Sequence, residues 1–119
     1  MNAAEVTRTS ALESLIGAWR SGDALRAAAH FALDGRYEEA RHDAIVGRDA
    51  LVQHFTHFFR DGPRWQFDLD DLFVTGDRAC VVYRFRIEGH GGSWSERAGC
   101  AVVRFDVAGA VASWREYDG

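Results

Sequence analysis

The chain is short of the residues that would mark several common kinds of protein. Its 119 residues include one proline, Pro63, one methionine and two cysteines, Cys80 and Cys100. Two thiols are too few for the disulfide framework of a small secreted domain or for a zinc site, so they read as buried, reduced side chains. Basic runs are absent as well, and 14 Lys and Arg against 18 Asp and Glu leave a net charge of -4. That balance argues against nucleic acid or an anionic membrane as a partner, since both need clustered cations to displace counterions. The longest apolar runs are a few residues, and Met1 to Glu5 has neither the basic nor the apolar region of a signal peptide. A cytoplasmic location is the expectation. No glycine-rich phosphate loop, nucleophile elbow or paired-cysteine motif is found, which speaks against nucleotide cofactors and covalent serine or cysteine chemistry.

Apolar content is ample, at 47% hydrophobic with 13% aromatic residues. A chain of this length forms a single domain, residues 1–119, that buries roughly two-thirds of its unfolded surface. Residues before about Thr7 carry little pattern and read as a loose tail. Thr9 or Ser10 can cap a helix, with Glu13 completing a capping box after Ser10, and Leu12, Leu15, Ile16 and Trp19 form its apolar face. Ser21-Gly22-Asp23 ends that helix, and Asp23 caps a second one from Ala24 to about His30. A strand follows through Leu33 to Glu39, then Ile45-Val46-Gly47-Arg48, then a helix from about Asp49 to Arg60. In the last helix Leu51, Val52, Phe55, Phe58 and Phe59 recur at three- and four-residue spacing, a stripe that must face something large.

After Pro63 the period changes to two. Trp65, Phe67 and Leu69 alternate with polar residues until Asp70-Asp71, where a bulge is expected. Turns at Thr75 to Arg78, Gly89 to Gly92 and Asp106 to Gly109 separate strands from Ala79 to Glu88, Trp94 to Phe105 and Ala110 to Tyr117. Helices followed by a four-stranded antiparallel meander predict an α+β domain whose curved sheet wraps the helices. Pairing across the Gly89 to Gly92 turn would set Cys80 beside Ala101 or Cys100 on the outer face, giving neighbouring thiols.

Gly22-Asp23, Tyr37-Glu38-Glu39 at a strand end, Val46-Gly47-Arg48-Asp49 opening a helix, Val102 to Asp106 before a glycine turn, and Trp114-Arg115-Glu116-Tyr117-Asp118 carry a resemblance. Over about Thr9 to Asp118 the chain resembles the nuclear-transport-factor-2-like (NTF2-like) superfamily, and most of all its SnoaL-like branch. The resemblance implies a cone-shaped, cystatin-like α+β fold, with helices packed in a strongly curved, mainly antiparallel sheet around an apolar cavity, and a homodimer through the outer sheet face. It does not name a reaction, because the superfamily holds isomerases, cyclases, dehydratases, hydrolases and pure binding modules. The general base of ketosteroid isomerase falls on Glu39. Its oxyanion-hole tyrosine and second acid fall on Leu15 and Ala101, which disfavours that particular activity.

Carried onto the strand alternation, the family's inward face lines a cavity with Leu15, Trp19, Tyr37, Phe55, Val81, Tyr83, Phe85, Ala101 and Trp114, with Glu39, Arg97 and Glu116 as its charged members. Such a site suits a small apolar or amphipathic molecule. In it Glu39 would be a general base, while Arg97 or Tyr83 stabilises developing negative charge. The same two charged groups could instead form a structural ion pair at the mouth, and a one-residue slip would exchange Glu39 for Glu38 and Arg97 for Glu96 or Ala98. A non-catalytic binding or dimerisation module is the alternative reading, with Trp19, Phe55 and Trp114 filling the cone. Among the five histidines, His54 and His57 are three apart on the third helix and His30 and His42 flank the carboxylate strand. His54 is expected to reach the cavity and His57 to face solvent. Without a third clear ligand the spacing predicts no metal, and no cofactor is expected.

Overall fold

The computed structural model describes residues 1–118. In chain order the elements are α1 (Ala3–Arg20), α2 (Ala24–Ala29), β1 (Phe31–Glu38), β2 (Ile45–Val46), α3 (Arg48–Asp61), β3 (Trp65–Thr75), β4 (Arg78–Glu88), a single 3-10 turn (His90–Gly92), β5 (Trp94–Phe105) and β6 (Val111–Asp118).

The first helix begins six to seven residues before the expected cap, and Ala3 to Thr7 belong to it instead of to a loose tail. Its capping box is Asn2 with Glu5: the Glu5 backbone N–H donates to Asn2 Oδ1 at 2.9 Å, and the Asn2 N–H donates to Glu5 Oε1 at 3.0 Å. Glu5 Oε2 also accepts from the Gly76 N–H at 2.9 Å, and Arg8 Nη1 donates to the Gly76 carbonyl at 2.6 Å. The helix start is thus tied to the β3–β4 turn. Ser10 and Glu13 imitate the same signature one stretch later, at the point where the apolar stripe begins.

The six strands form one open sheet in the order β2-β1-β6-β5-β4-β3. Among the described residues only β1 and β6 run parallel. The anticipated bulge lies between Leu69 and Asp71. Register across β4 and β5 differs from expectation, because Glu88 pairs with Trp94 and so Cys80 faces Val102, and Val82 faces Cys100. The short turn makes this possible, with Gly91 and Gly92 at φ of 73° and 77° in the left-handed region open to glycine. The thiols remain diagonal neighbours. Burial, and after it the nearby Cys100, pushes the Cys80 thiol up.

One face of the sheet is covered by the helices. Leu12, Leu15 and Ile16 of α1, Leu51 of α3, and Phe31, Val81, Ala101, Val103, Val111 and Trp114 of the strands are essentially inaccessible and form one core. Toward the Ile87 end of β4 the strand residues become half-buried, and the space between sheet and helices is left open there.

Candidate functional site

That space is a cavity of about 300 Å³. Trp19 reaches it from the last turn of α1; His54, Phe55, Phe58 and Phe59 come from one face of α3; Phe67, Tyr83, Phe85 and Gly99 come from the sheet. The aromatic rings brace one another, with Trp19 edge-on to Phe55 and Tyr37, and Phe67 stacked on Tyr83 at 4.9 Å. Gly99 makes this arrangement possible. A Cβ there would sit 2.8 Å from the Tyr117 carbonyl and 3.2 Å from the Tyr83 hydroxyl.

Glu116 supplies the acid at the centre. It lies two residues after Trp114 on β6, so both side chains leave the same face of the strand. The Trp114 indole N–H donates to Glu116 Oε2 at 2.9 Å, the Tyr37 hydroxyl donates to the same oxygen at 3.4 Å, and Tyr83 adds another hydroxyl toward the carboxyl. Burial is the main influence on this group and disfavours its ionised form; the Glu39 charge pushes the same way, while the Trp114, Tyr37 and Tyr83 donors oppose it. The outcome is a carboxyl pushed up to about 7. Burial and the facing Glu116 raise both Tyr37 and Tyr83 above the usual phenol range, so both hydroxyls stay protonated and able to donate.

Two carboxylates with their partners stand at the mouth. His54 Nε2 lies 3.2 Å from Glu39 Oε1, with the two side chains 33% and 38% exposed. Arg97 Nη1 lies 3.6 Å from Asp118 Oδ2, and Arg41 grips both Asp118 oxygens at 2.9 and 2.6 Å. The Arg41 hydrogen bonds hold Asp118 below the usual carboxylate range. Glu39 and Arg97 therefore share the cavity wall but pair with other partners, not with each other.

Of the residues expected to line the cavity, Trp19, Tyr37, Glu39, His54, Phe55, Tyr83, Phe85, Arg97 and Glu116 do so. Leu15, Val81, Ala101 and Trp114 do not. They are completely covered in the core beneath the floor, because the open space is confined to one end of the cone. Phe58, Phe59, Trp65, Phe67 and Asp118 were not anticipated in the wall. The α3 stripe already contained Phe58 and Phe59, and the inward alternation of β3 contained Trp65 and Phe67, so the signal was present. His57 is exposed, as its position on α3 predicted, and lies 3.2 Å from Asp61.

Residues 12–114 match the SnoaL-like domain. The chain belongs to the SnoaL-like family. No curated protein matches its sequence. Among solved structures, this SnoaL-like chain is similar to an NTF2-like protein of unknown function from Burkholderia pseudomallei, with a TM-score of 0.83, 16% identity, and coverage of 94% of this chain and 90% of the other. It is also similar to an M. tuberculosis LEH-like epoxide hydrolase, with a TM-score of 0.83, 16% identity, and coverage of 97% and 84%. A third likeness is to SalBIII, an epoxide hydrolase/cyclase-like enzyme in pyran ring formation in the polyether salinomycin, with a TM-score of 0.81, 15% identity, and coverage of 95% and 91%. At such identities the likeness is one of fold, and it establishes the cone-shaped α+β architecture for this SnoaL-like protein.

Proposed function

We propose that the protein binds a small, largely apolar molecule in the cone cavity and carries out cofactor-free acid–base chemistry on it, of the isomerase, dehydratase, cyclase or hydrolase type. The observation that carries this reading is Glu116: a carboxyl pushed up to about 7, inside a mainly aromatic cavity, hydrogen-bonded by the Trp114 indole and the Tyr37 hydroxyl. A group titrating near neutrality can take up and return a proton at little cost in either direction. Tyr37 and Tyr83 are protonated donors placed to stabilise an oxygen that gains negative charge.

Within this proposal Glu39 keeps its role as an acid–base group, now coupled to His54 at the mouth, where it also tunes Glu116 through its charge. Arg97 steadies Asp118 at the rim. The epoxide hydrolase and cyclase-like relatives suggest the reaction to try first: opening of a small epoxide by water or by an internal hydroxyl. There the attacking O–H loses its proton to Glu116 as the epoxide C–O bond breaks, the phenols stabilise the departing oxygen by hydrogen bonds, and Glu116 then returns the proton to that oxygen, which restores the site. The proposal includes a homodimer through the outer sheet face, where Phe73, Cys80 and Val102 lie in one cross-strand row.

The test is turnover of a panel of small apolar epoxides by the wild type and by Glu116→Gln. Loss of turnover with retained binding supports the assignment, and unchanged turnover overturns it.

A further inference from the structure

The cavity has a neighbour. A more open groove lies beside it, bounded by Arg20, Ser21 and Gly22 at the end of α1, Gly62, Pro63 and Arg64 after α3, and Trp94 at the start of β5. Trp19, Phe59, Trp65 and Phe67 line both spaces. The wall between them is therefore a set of aromatic rings, with Phe59 and Trp65 stacked at 6.1 Å.

Two observations concern what crosses that wall. Trp19 is only 7% exposed, and its indole N–H has no hydrogen-bond partner among the described residues. A buried donor without a partner is costly, and an acceptor on a bound molecule would satisfy it. The two sides also differ in charge. The inner cavity holds Glu39, Glu116 and Asp118 against Arg97, and Arg97 already faces Asp118. The outer groove holds Arg20 and Arg64 against Asp68.

Arg20 donates from Nε and Nη2 to the Phe67 carbonyl, a neutral partner, at 3.1 and 2.9 Å, so its positive charge is fixed beside the aromatic wall. Arg64 lies over the Trp94 ring at 5.6 Å and 3.5 Å from Glu88, with its side chain 79% exposed. A solvated pair of this kind gives way readily to a competing anion. A guanidinium on a tryptophan, with a second guanidinium lining the same groove, suits a carboxylate, which it can meet with two parallel hydrogen bonds.

We infer that cavity and groove form one bipartite site, and that its occupant is an amphiphile whose apolar body enters the cavity while a carboxylate end stays in the groove against Arg64 and Arg20. The opposed charges of the two compartments fix the direction of entry: an anionic end is repelled by the inner carboxylates and attracted by the outer guanidiniums. This rests on the binding reading above and adds the chemical class of the molecule bound.

Decanoate, decanol and decylamine serve as probes in calorimetric titrations of the wild-type protein, Arg64→Gln, Arg64→Glu and Glu116→Gln. Arg64 is exposed, so its replacement leaves the core untouched. The wild type is expected to prefer decanoate over decanol by about fivefold, the scale of one solvated ion pair. Added salt should shrink that preference. Arg64→Gln should remove it and Arg64→Glu reverse it, with decanol binding unchanged in both, while Glu116→Gln keeps it. Equal binding of decanoate and decanol, a preference for decylamine, or a decanoate preference indifferent to Arg64 would each overturn the inference and leave the binding reading standing. Failure of decanol to bind at all would overturn both. Turnover by Glu116→Gln reads the reaction separately from any of these affinities.

Discussion

Trp114 and Glu116, two positions apart on β6, are joined by an indole N–H to Oε2 hydrogen bond of 2.9 Å. The same tryptophan is fully enclosed in the core and packs edge-on against Trp19 at 4.8 Å. Structure and chemistry thus share a side chain: the ring packed in the core beneath the cavity also orients its acid. Replacing Trp114 by Phe keeps most of the packing but removes the donor that lowers the Glu116 pKa. We expect the pH midpoint of Glu116 to move upward, readable by NMR titration of its carboxyl, with stability falling by about 1–3 kcal/mol in a denaturant titration.

Glu39 acts on Glu116 in the opposite sense. Its negative charge is one of the influences raising the Glu116 pKa. Glu39→Gln removes that charge, so the midpoint of Glu116 should fall and the acidic limb of any pH–rate profile should move to lower pH. A profile that does not move would show that the two carboxyls are uncoupled.

Stability should depend on pH through Glu116. Folding raises its pKa from the ordinary value of 4.5 to about 7, so the folded protein holds the proton more tightly than the unfolded chain. Its contribution to stability is fully present below about pH 4.5, declines as pH rises, and is lost above about pH 7. The shift bounds the swing at about 3 kcal/mol. Glu116→Gln should flatten that part of the curve, which chemical denaturation at a series of pH values would reveal.

Gly99 provides a steric test. A methyl group there would meet the Tyr117 carbonyl and the Tyr83 ring at distances that force movement. Gly99→Ala should therefore displace Tyr83 and weaken ligand binding in the cavity, at a stability cost of about 1–3 kcal/mol for overpacking. Thermal unfolding and a titration with the same ligand separate the two effects.

For the proposed dimer, sedimentation at micromolar concentration should show a two-chain species, and Val102→Glu, at a residue 40% exposed on the outer face, should shift it to monomer. A wild-type monomer under those conditions would remove the dimer from the proposal.

Much of the fold was legible because burial imposes periodicity. The α3 stripe and the alternation along β3, β4 and β5 stated which side of each element faces inward, and the Asp70-Asp71 slip marked the bulge. What was not legible depends on distance in space. Nothing local in Arg97 reveals that Asp118 is its partner, because their meeting requires the β5–β6 register and its pairing of Gly99 with Asp118. Nor does alternation tell a cavity wall from a packed floor: Val81 and Tyr83 share an inward face, yet Val81 is core and Tyr83 lines the cavity. The helix start was misplaced for a different reason, since two equivalent capping signatures occur within ten residues and tertiary contacts to Gly76 select the first.

The parallel pairing of β1 with β6 bears on how the protein comes into being. Phe31 is aligned with Val111, so a strand near the beginning of the described chain has to await one near its end. Contacts of such sequence separation form late, after a large loss of chain entropy. The β3–β4–β5 hairpins join strands that are adjacent in sequence, whereas the parallel pair that brings Tyr37 to Glu116 joins strands far apart in it. During synthesis β1 could pair with β2 early, but it would lack its β6 neighbour until the residues of β6 had emerged, and Glu116, itself on β6, could meet Tyr37 only then.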